Sequence, residues 1–146
     1  MINRRTNYQR KKPFPKKPPR PMSDKYLRDE LDGIVRLILP LMESHCFTCG
    51  TTKNLQVGHL LERRHLHTTW DSHPEGNNHR QCESCNVLHE EKPEIYRDKF
   101  IKRFGERAYA ELCERAASKQ KLTFSDLLAL LEEKEAQLRM LQGKAA

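Results

Sequence analysis

Apolar residues at Leu27, Leu31, Ile34, Val35 and Ile38 recur every three or four positions, the interval that stacks side chains along one face of a helix. The pattern predicts a helix over residues 24–39. Ser23 stands where a hydroxyl can accept from the first free N–H groups. Asp24, Asp29 and Glu30 suit the positive end of the helix dipole, and Pro40 marks the expected stop. Gly33 weakens the helix locally, by about 1 kcal/mol relative to alanine. Residues 55–59 read as the second strand of a short hairpin that delivers Gly58 and His59 to a concave surface. Residues 63–80 are polar, rich in histidine and broken by Pro74 and Gly76, so they read as a long loop. Loops of that length inside compact domains are uncommon and often functional.

Helical spacing returns in the second half. A helix is expected to begin at Cys82 and run to about Glu91, and Pro93 permits another over residues 94–104. Gly105 separates that helix from one over residues 106–118, where Cys113 reads as a small core residue. Thr123 followed by Asp126 resembles an N-terminal cap for a last helix ending near residue 141. Phe124, Leu127, Leu128, Leu131, Leu138 and Leu141 form a broad apolar stripe on it. Such a stripe serves either core packing or a dimer surface.

Composition narrows the class. The 146 residues are 36% hydrophobic and 32% charged, which fits one modest domain with a limited core of the kind often supported by a metal or a partner. The greasiest stretch, residues 34–42, is interrupted by Arg36 and Pro40. No membrane span or secretory signal is read, and a reducing cytoplasm is the expected compartment.

Charge is uneven. Eight of the 27 Lys and Arg residues lie in residues 1–21, with no acid among them, so the rest carries 19 basic against 20 acidic groups. Five of the eight prolines share that segment. It has little to bury and reads as a disordered tail. Lys11, Lys12, Lys16 and Lys17 are candidate nucleic-acid contacts, since each phosphate neutralised releases counterions; a solubilising arm is the plainer alternative.

The chemistry concentrates in the middle. Cys46-x-x-Cys49-Gly50 and Cys82-x-x-Cys85-Asn86 are paired thiols separated by 32 residues. Four thiolates at that spacing suit one tetrahedral zinc, a closed site that organises a fold and activates no water; disulfides are the alternative. A catalytic ion would then be a second, harder cation, magnesium or manganese, held by oxygen or imidazole ligands. His59 is the leading general base, set against a buried hydrogen-bonded histidine. Asn86 offers a carbonyl oxygen to that ion or caps a helix. Glu90 shares a helix face with Asn86 four positions on, as a ligand or as a solvated side chain. His89 competes for the same place or touches phosphate. His79 binds the ion, orients His59 or closes the loop. Asn77 or Asn78 supports His59 through a hydrogen bond, or both are turn residues. Arg63, Arg64 and Arg80 would grip phosphates or decorate a solvated loop, and Trp70 stacks on a base or anchors the loop.

In order, Cys46-Phe47-Thr48-Cys49-Gly50, Val57-Gly58-His59, Asn77-Asn78-His79-Arg80-Gln81-Cys82 and Cys85-Asn86 resemble the HNH nuclease superfamily on a treble-clef or ββα-metal scaffold. Within it the chain resembles the NinG (Rap) family of lambdoid phages, associated with recombination and cleavage of branched DNA. The resemblance covers roughly residues 30–135 and includes Tyr96-Arg97 and the segment 100–105. It implies an α+β fold: a small zinc core over residues 45–92, an N-terminal helical segment over 23–44, a C-terminal helical extension over 93–146 and the tail at 1–22. It gives His59 the catalytic position, Asn77 the middle asparagine position and Asn86 a metal-ligand position. Many HNH enzymes carry Asp immediately before the catalytic His; here that residue is Gly58. The function implied is magnesium-dependent cleavage of DNA phosphodiesters at Holliday junctions or other branched intermediates. A homodimer would suit two-strand cutting. A non-catalytic zinc module that binds DNA is the main alternative, and a protein-interaction adaptor a third.

Overall fold

The computed structural model describes residues 21–145; the tail lysines at 11, 12, 16 and 17 lie outside that range. The elements are helix α1 (Asp24–Met42), strand β1 (Leu55–His59), short helix α2 (Leu66–Thr69), strand β2 (Asn78–Cys82) and helices α3 (Glu83–Glu91), α4 (Pro93–Phe104), α5 (Glu106–Ala116) and α6 (Phe124–Ala145). Among the described residues, no helix is long and apolar enough to cross a membrane.

Ser23 caps α1 as the sequence indicates, its hydroxyl accepting from the Tyr26 N–H at 3.2 Å. Pro40 does not stop the helix. The chain continues to Met42, and the Glu43 N–H still reaches the Leu39 carbonyl at 2.9 Å. Proline removes one internal hydrogen bond, which the exposed last turn tolerates. Leu27, Leu31, Val35 and Leu39 are buried with Trp70 and Leu127 in a first apolar cluster. Fully burying side chains of that size contributes about 1.5–3 kcal/mol each. The α6 stripe therefore serves the core near its start: Leu127 is buried, and Leu128 and Leu131 pack on the same cluster as α1. Phe124 stays exposed.

The sheet differs from expectation. β1 is the first strand, and it pairs antiparallel with β2, His59 opposite Asn78 and Gly58 opposite His79. The loop expected over residues 63–80 is interrupted by α2 and ends inside β2. Pattern reading missed β2 because Asn-His-Arg-Gln-Cys lacks polar and apolar alternation. Tertiary hydrogen bonds engage most of those polar groups instead of water, while Asn78 Oδ1 and Gln81 Oε1 are buried without a partner.

Across the hairpin lies a second cluster of Leu60, Tyr96, Phe100, Ala108 and Leu112, with Phe47 packed against it. Pro93 opens α4 at its first turn, where a missing N–H removes no helical bond. Cys113 is half-buried and pairs with Tyr109 rather than filling the core. The result is a small α+β fold: a two-stranded hairpin and a four-cysteine cluster in a treble-clef-like arrangement, flanked by helices.

Candidate metal centre and catalytic cleft

The first cysteine pair sits in a tight turn. The Gly50 N–H donates to the Cys46 carbonyl at 2.9 Å, the Cys49 N–H points at the Cys46 Sγ at 3.5 Å, and Gly50 adopts a φ of +78° that side chains rarely take. The second pair uses a helix start. Cys82 is the N-cap of α3, and its Sγ accepts from the Cys85 N–H at 3.4 Å. Helix N-termini favour thiolates. All four Sγ atoms lie within 4.8 Å of one another. Zinc–sulfur bonds of about 2.3 Å in a tetrahedron require sulfurs about 3.8 Å apart, and Cys49 Sγ and Cys82 Sγ stand 3.7 Å apart.

The thiols also conflict electrostatically. Burial pushes Cys46 up, but hydrogen bonds from backbone groups, Cys49 foremost, bring it down to about 7. Burial and then the neighbouring thiols of Cys82, Cys49 and Cys46 push Cys85 far above its usual range. Several thiolates cannot share so small a volume without a cation to neutralise them. The donor set is soft, closed and four-coordinate, and so fits a structural zinc.

His59 ends β1, on the side of the hairpin facing α1. One ring nitrogen, Nε2, lies 3.1 Å from the Thr69 carbonyl oxygen, which can only accept. Burial, then the Arg63 charge, lowers the imidazole to about 4, so near neutral pH the ring carries a single proton. The Thr69 carbonyl holds that proton on Nε2, leaving the lone pair on Nδ1. His59, Asn86, His89 and Glu90 line one cleft of about 710 Å³, along whose walls stand Arg63 and Arg80. The structure brings these residues together from β1, β2, α3 and the β1–α2 loop.

Other candidates sit elsewhere. His79 is 1% exposed and faces the opposite side of the hairpin, its ring tilted 32° against Phe47 at 4.1 Å between centroids. Both its ring nitrogens are engaged, Nδ1 with Glu43 and Nε2 with the Gly76 carbonyl at 3.2 Å. The expectation of a metal ligand at His79 is therefore corrected to a core histidine. Asn77 makes no hydrogen bond to His59. Its Oδ1 accepts from the Leu61 N–H at 2.6 Å and its Nδ2 donates to the Leu61 carbonyl at 3.0 Å. Asn78 is the asparagine that shares the acceptor of His59, donating to the Thr69 carbonyl at 2.8 Å. His89 Nε2 lies 2.9 Å from the Leu60 carbonyl, and its Nδ1 is buried without a partner. Asn77 and His89 thus clamp the two residues after His59.

Arg64 is exposed and paired with Glu62 at 3.1 Å. Arg80 is half-buried and donates to the Glu43 carbonyl at 3.1 Å. Trp70 is 3% exposed and its indole donates to Asp32 at 2.7 Å, so it anchors the loop and offers no stacking face. Sequence reasoning missed two carboxylates. Asp32 takes Trp70 on one oxygen and Arg63 on the other, also at 2.7 Å. Glu43 joins His79 to the Arg80 N–H. Their partners lie 31 to 38 positions away, so no local spacing signals them.

No curated protein and no solved structure matches this chain. A family match does exist: residues 3–144 fit the family described as Bacteriophage Lambda NinG protein. That match, with the four-cysteine cluster, supports a nuclease or DNA-binding function in general. The match spans nearly the whole chain: the chain belongs to the NinG family.

Proposed function

We propose that the protein is a divalent-metal-dependent endonuclease that hydrolyses DNA phosphodiesters, with Holliday junctions or other branched recombination intermediates as substrate. The observation that carries this reading is the His59 ring. Its Nε2 proton is held by the Thr69 carbonyl, and its free Nδ1 belongs to a side chain lining the same cleft as Asn86 and Glu90. A neutral imidazole fixed in one tautomer is suited to take a proton from an attacking water. Asn78 holds the same carbonyl, while Asn77 and His89 fix the chain on the other side of His59. Arg63 and Arg80 place cationic groups along the walls, where they would hold backbone phosphates.

Asn86 and Glu90 offer hard oxygens to the cleft, and His89, which lines it too, has an Nδ1 buried without a partner. That set fits magnesium or manganese better than a soft-ligand metal. When bound, such an ion would stabilise charge on the phosphate and leaving oxygen. A homodimer would present one centre to each of two strands, and the host-cell cytoplasm keeps the zinc thiols reduced.

Gly58 favours a second reading, a zinc module that binds DNA without cutting it, because many HNH enzymes carry an aspartate immediately before the catalytic histidine and this chain does not. The test compares wild type and His59→Ala, both with zinc retained, on a four-way junction and a matched linear duplex. Magnesium-dependent junction cleavage is expected, reduced about 10²–10⁴-fold in the variant. Binding without cleavage across several divalent ions would establish the second reading.

A further inference from the structure

His59 lies where two clefts meet. The first runs between α1 and the hairpin, and the second, of about 660 Å³, opens towards α4 and α5. His59, Glu62, His89 and Glu90 line both. A chain cut at an internal phosphodiester continues in both directions from the reacting phosphorus, so a blind cleft ending at His59 would not accommodate it. The two clefts give it a way in and a way out.

Their charges differ in a useful manner. The first carries Arg36, Arg63 and Arg80. In the second, past the acids shared at the junction, Arg97 is the one arginine or lysine among the described lining residues. Arg97 projects from α4 and pairs with its neighbour Asp98 at 3.0 Å, with both side chains substantially exposed. An exposed pair of that kind contributes only about 0–1 kcal/mol, so its guanidinium can exchange partners for a phosphate at little cost.

We propose that one DNA strand occupies both clefts and that Arg97 contacts a backbone phosphate on the far side of His59 from Arg36. The inference rests on His59 being the reacting centre. It adds a second binding surface, on α4, and gives a role to the Arg97 of the Tyr96-Arg97 pair.

The experiment measures binding of the full zinc-loaded chain to a labelled four-way junction across a salt series, with calcium in place of magnesium. Removing one cationic side chain from a phosphate should flatten the slope of log K against log[salt] by about 0.9. Arg97→Ala and Arg36→Ala are each expected to flatten it by that amount, and the double variant by twice as much. Arg97→Lys should retain the slope. Arg107→Ala, on an exposed arginine of α5 lining neither cleft, serves as control. A flattened slope for Arg36→Ala but not Arg97→Ala overturns the proposal, as does an equal effect from Arg107→Ala. Slopes that change as expected while wild type shows no cleavage in magnesium would leave the strand path standing and remove the nuclease reading. Absence of DNA binding overturns both.

Discussion

Gly58 packs so closely on Gln81 that a β-carbon added to it would lie 2.7 Å from Gln81 Cγ and 2.8 Å from Cδ, with Oε1 nearer still. Gln81 cannot swing away easily: it is fully buried and its Nε2 donates to Thr48 at 2.8 Å. The residue before His59 is therefore glycine for a packing reason, and an aspartate there would collide with the opposing strand. Gly58→Ala is expected to destabilise the fold by about 1–3 kcal/mol. Adding Gln81→Ala should recover part of that stability, because it removes the obstructing atoms. Thermal melts of the two single variants and the double variant decide it, and strict additivity would show that the clash is not the cause.

Zinc removal should be far more damaging than any single cleft substitution. Structural zinc supplies about 10–16 kcal/mol of apparent binding energy in small zinc domains near neutral pH, against a typical folding stability of about 5–15 kcal/mol. Cys82→Ser, which alters both a zinc thiol and the cap of α3, is expected to abolish stoichiometric zinc and lose the hairpin. The α1–α6 cluster lies apart from the cysteines, so substantial helical circular dichroism should survive. Full helicity with unchanged amide dispersion after chelation would contradict a structural role for the metal.

Burial of His59 has a definite pH signature. Its folded value of about 4 lies below the ordinary value of 6.5. Between those values the unfolded chain binds the extra proton, so this group's contribution is complete above about pH 6.5 and is lost as pH falls through about 4. The total is about 3 kcal/mol. Imidazole resonances followed by NMR in the zinc-loaded protein should show His59 titrating near 4. Titration close to 6.5 would mean that the ring is more hydrated than its packing indicates.

Asp32 separates two effects that one carboxylate combines. Asp32→Asn keeps an oxygen for the Trp70 indole but removes the charge facing Arg63, and should change stability by less than about 1 kcal/mol for such a half-exposed pair. Asp32→Ala leaves the buried indole N–H without its acceptor, which costs about 1–3 kcal/mol. Trp70 is the sole tryptophan, so its fluorescence reports the change directly. Equal effects from the two substitutions would place the stabilisation in the Arg63 pair instead.

The sequence by itself determined what is local. Period and capping located α1, and the Cys-x-x-Cys spacing located both halves of the metal centre, because a thiol pair separated by two residues meets its ion through a single turn. Proline and glycine positions divided α4 from its neighbours. What only the tertiary structure decided depends on interactions between distant residues. β2 is a strand because Glu43, Thr48, Thr69 and the backbone of β1 engage most of its polar groups, Asn78 Oδ1 and Gln81 Oε1 excepted. The roles of neighbouring Asn77, Asn78 and His79 separate because strand alternation turns adjacent side chains to opposite faces. His79 consequently enters an aromatic core, while Asn78 joins His59 at the Thr69 carbonyl. Residue type and spacing suffice where a site closes within a few positions of chain; they carry no such information for Asp32, Thr69 and Trp70, which take up their roles only after the chain has folded back on itself.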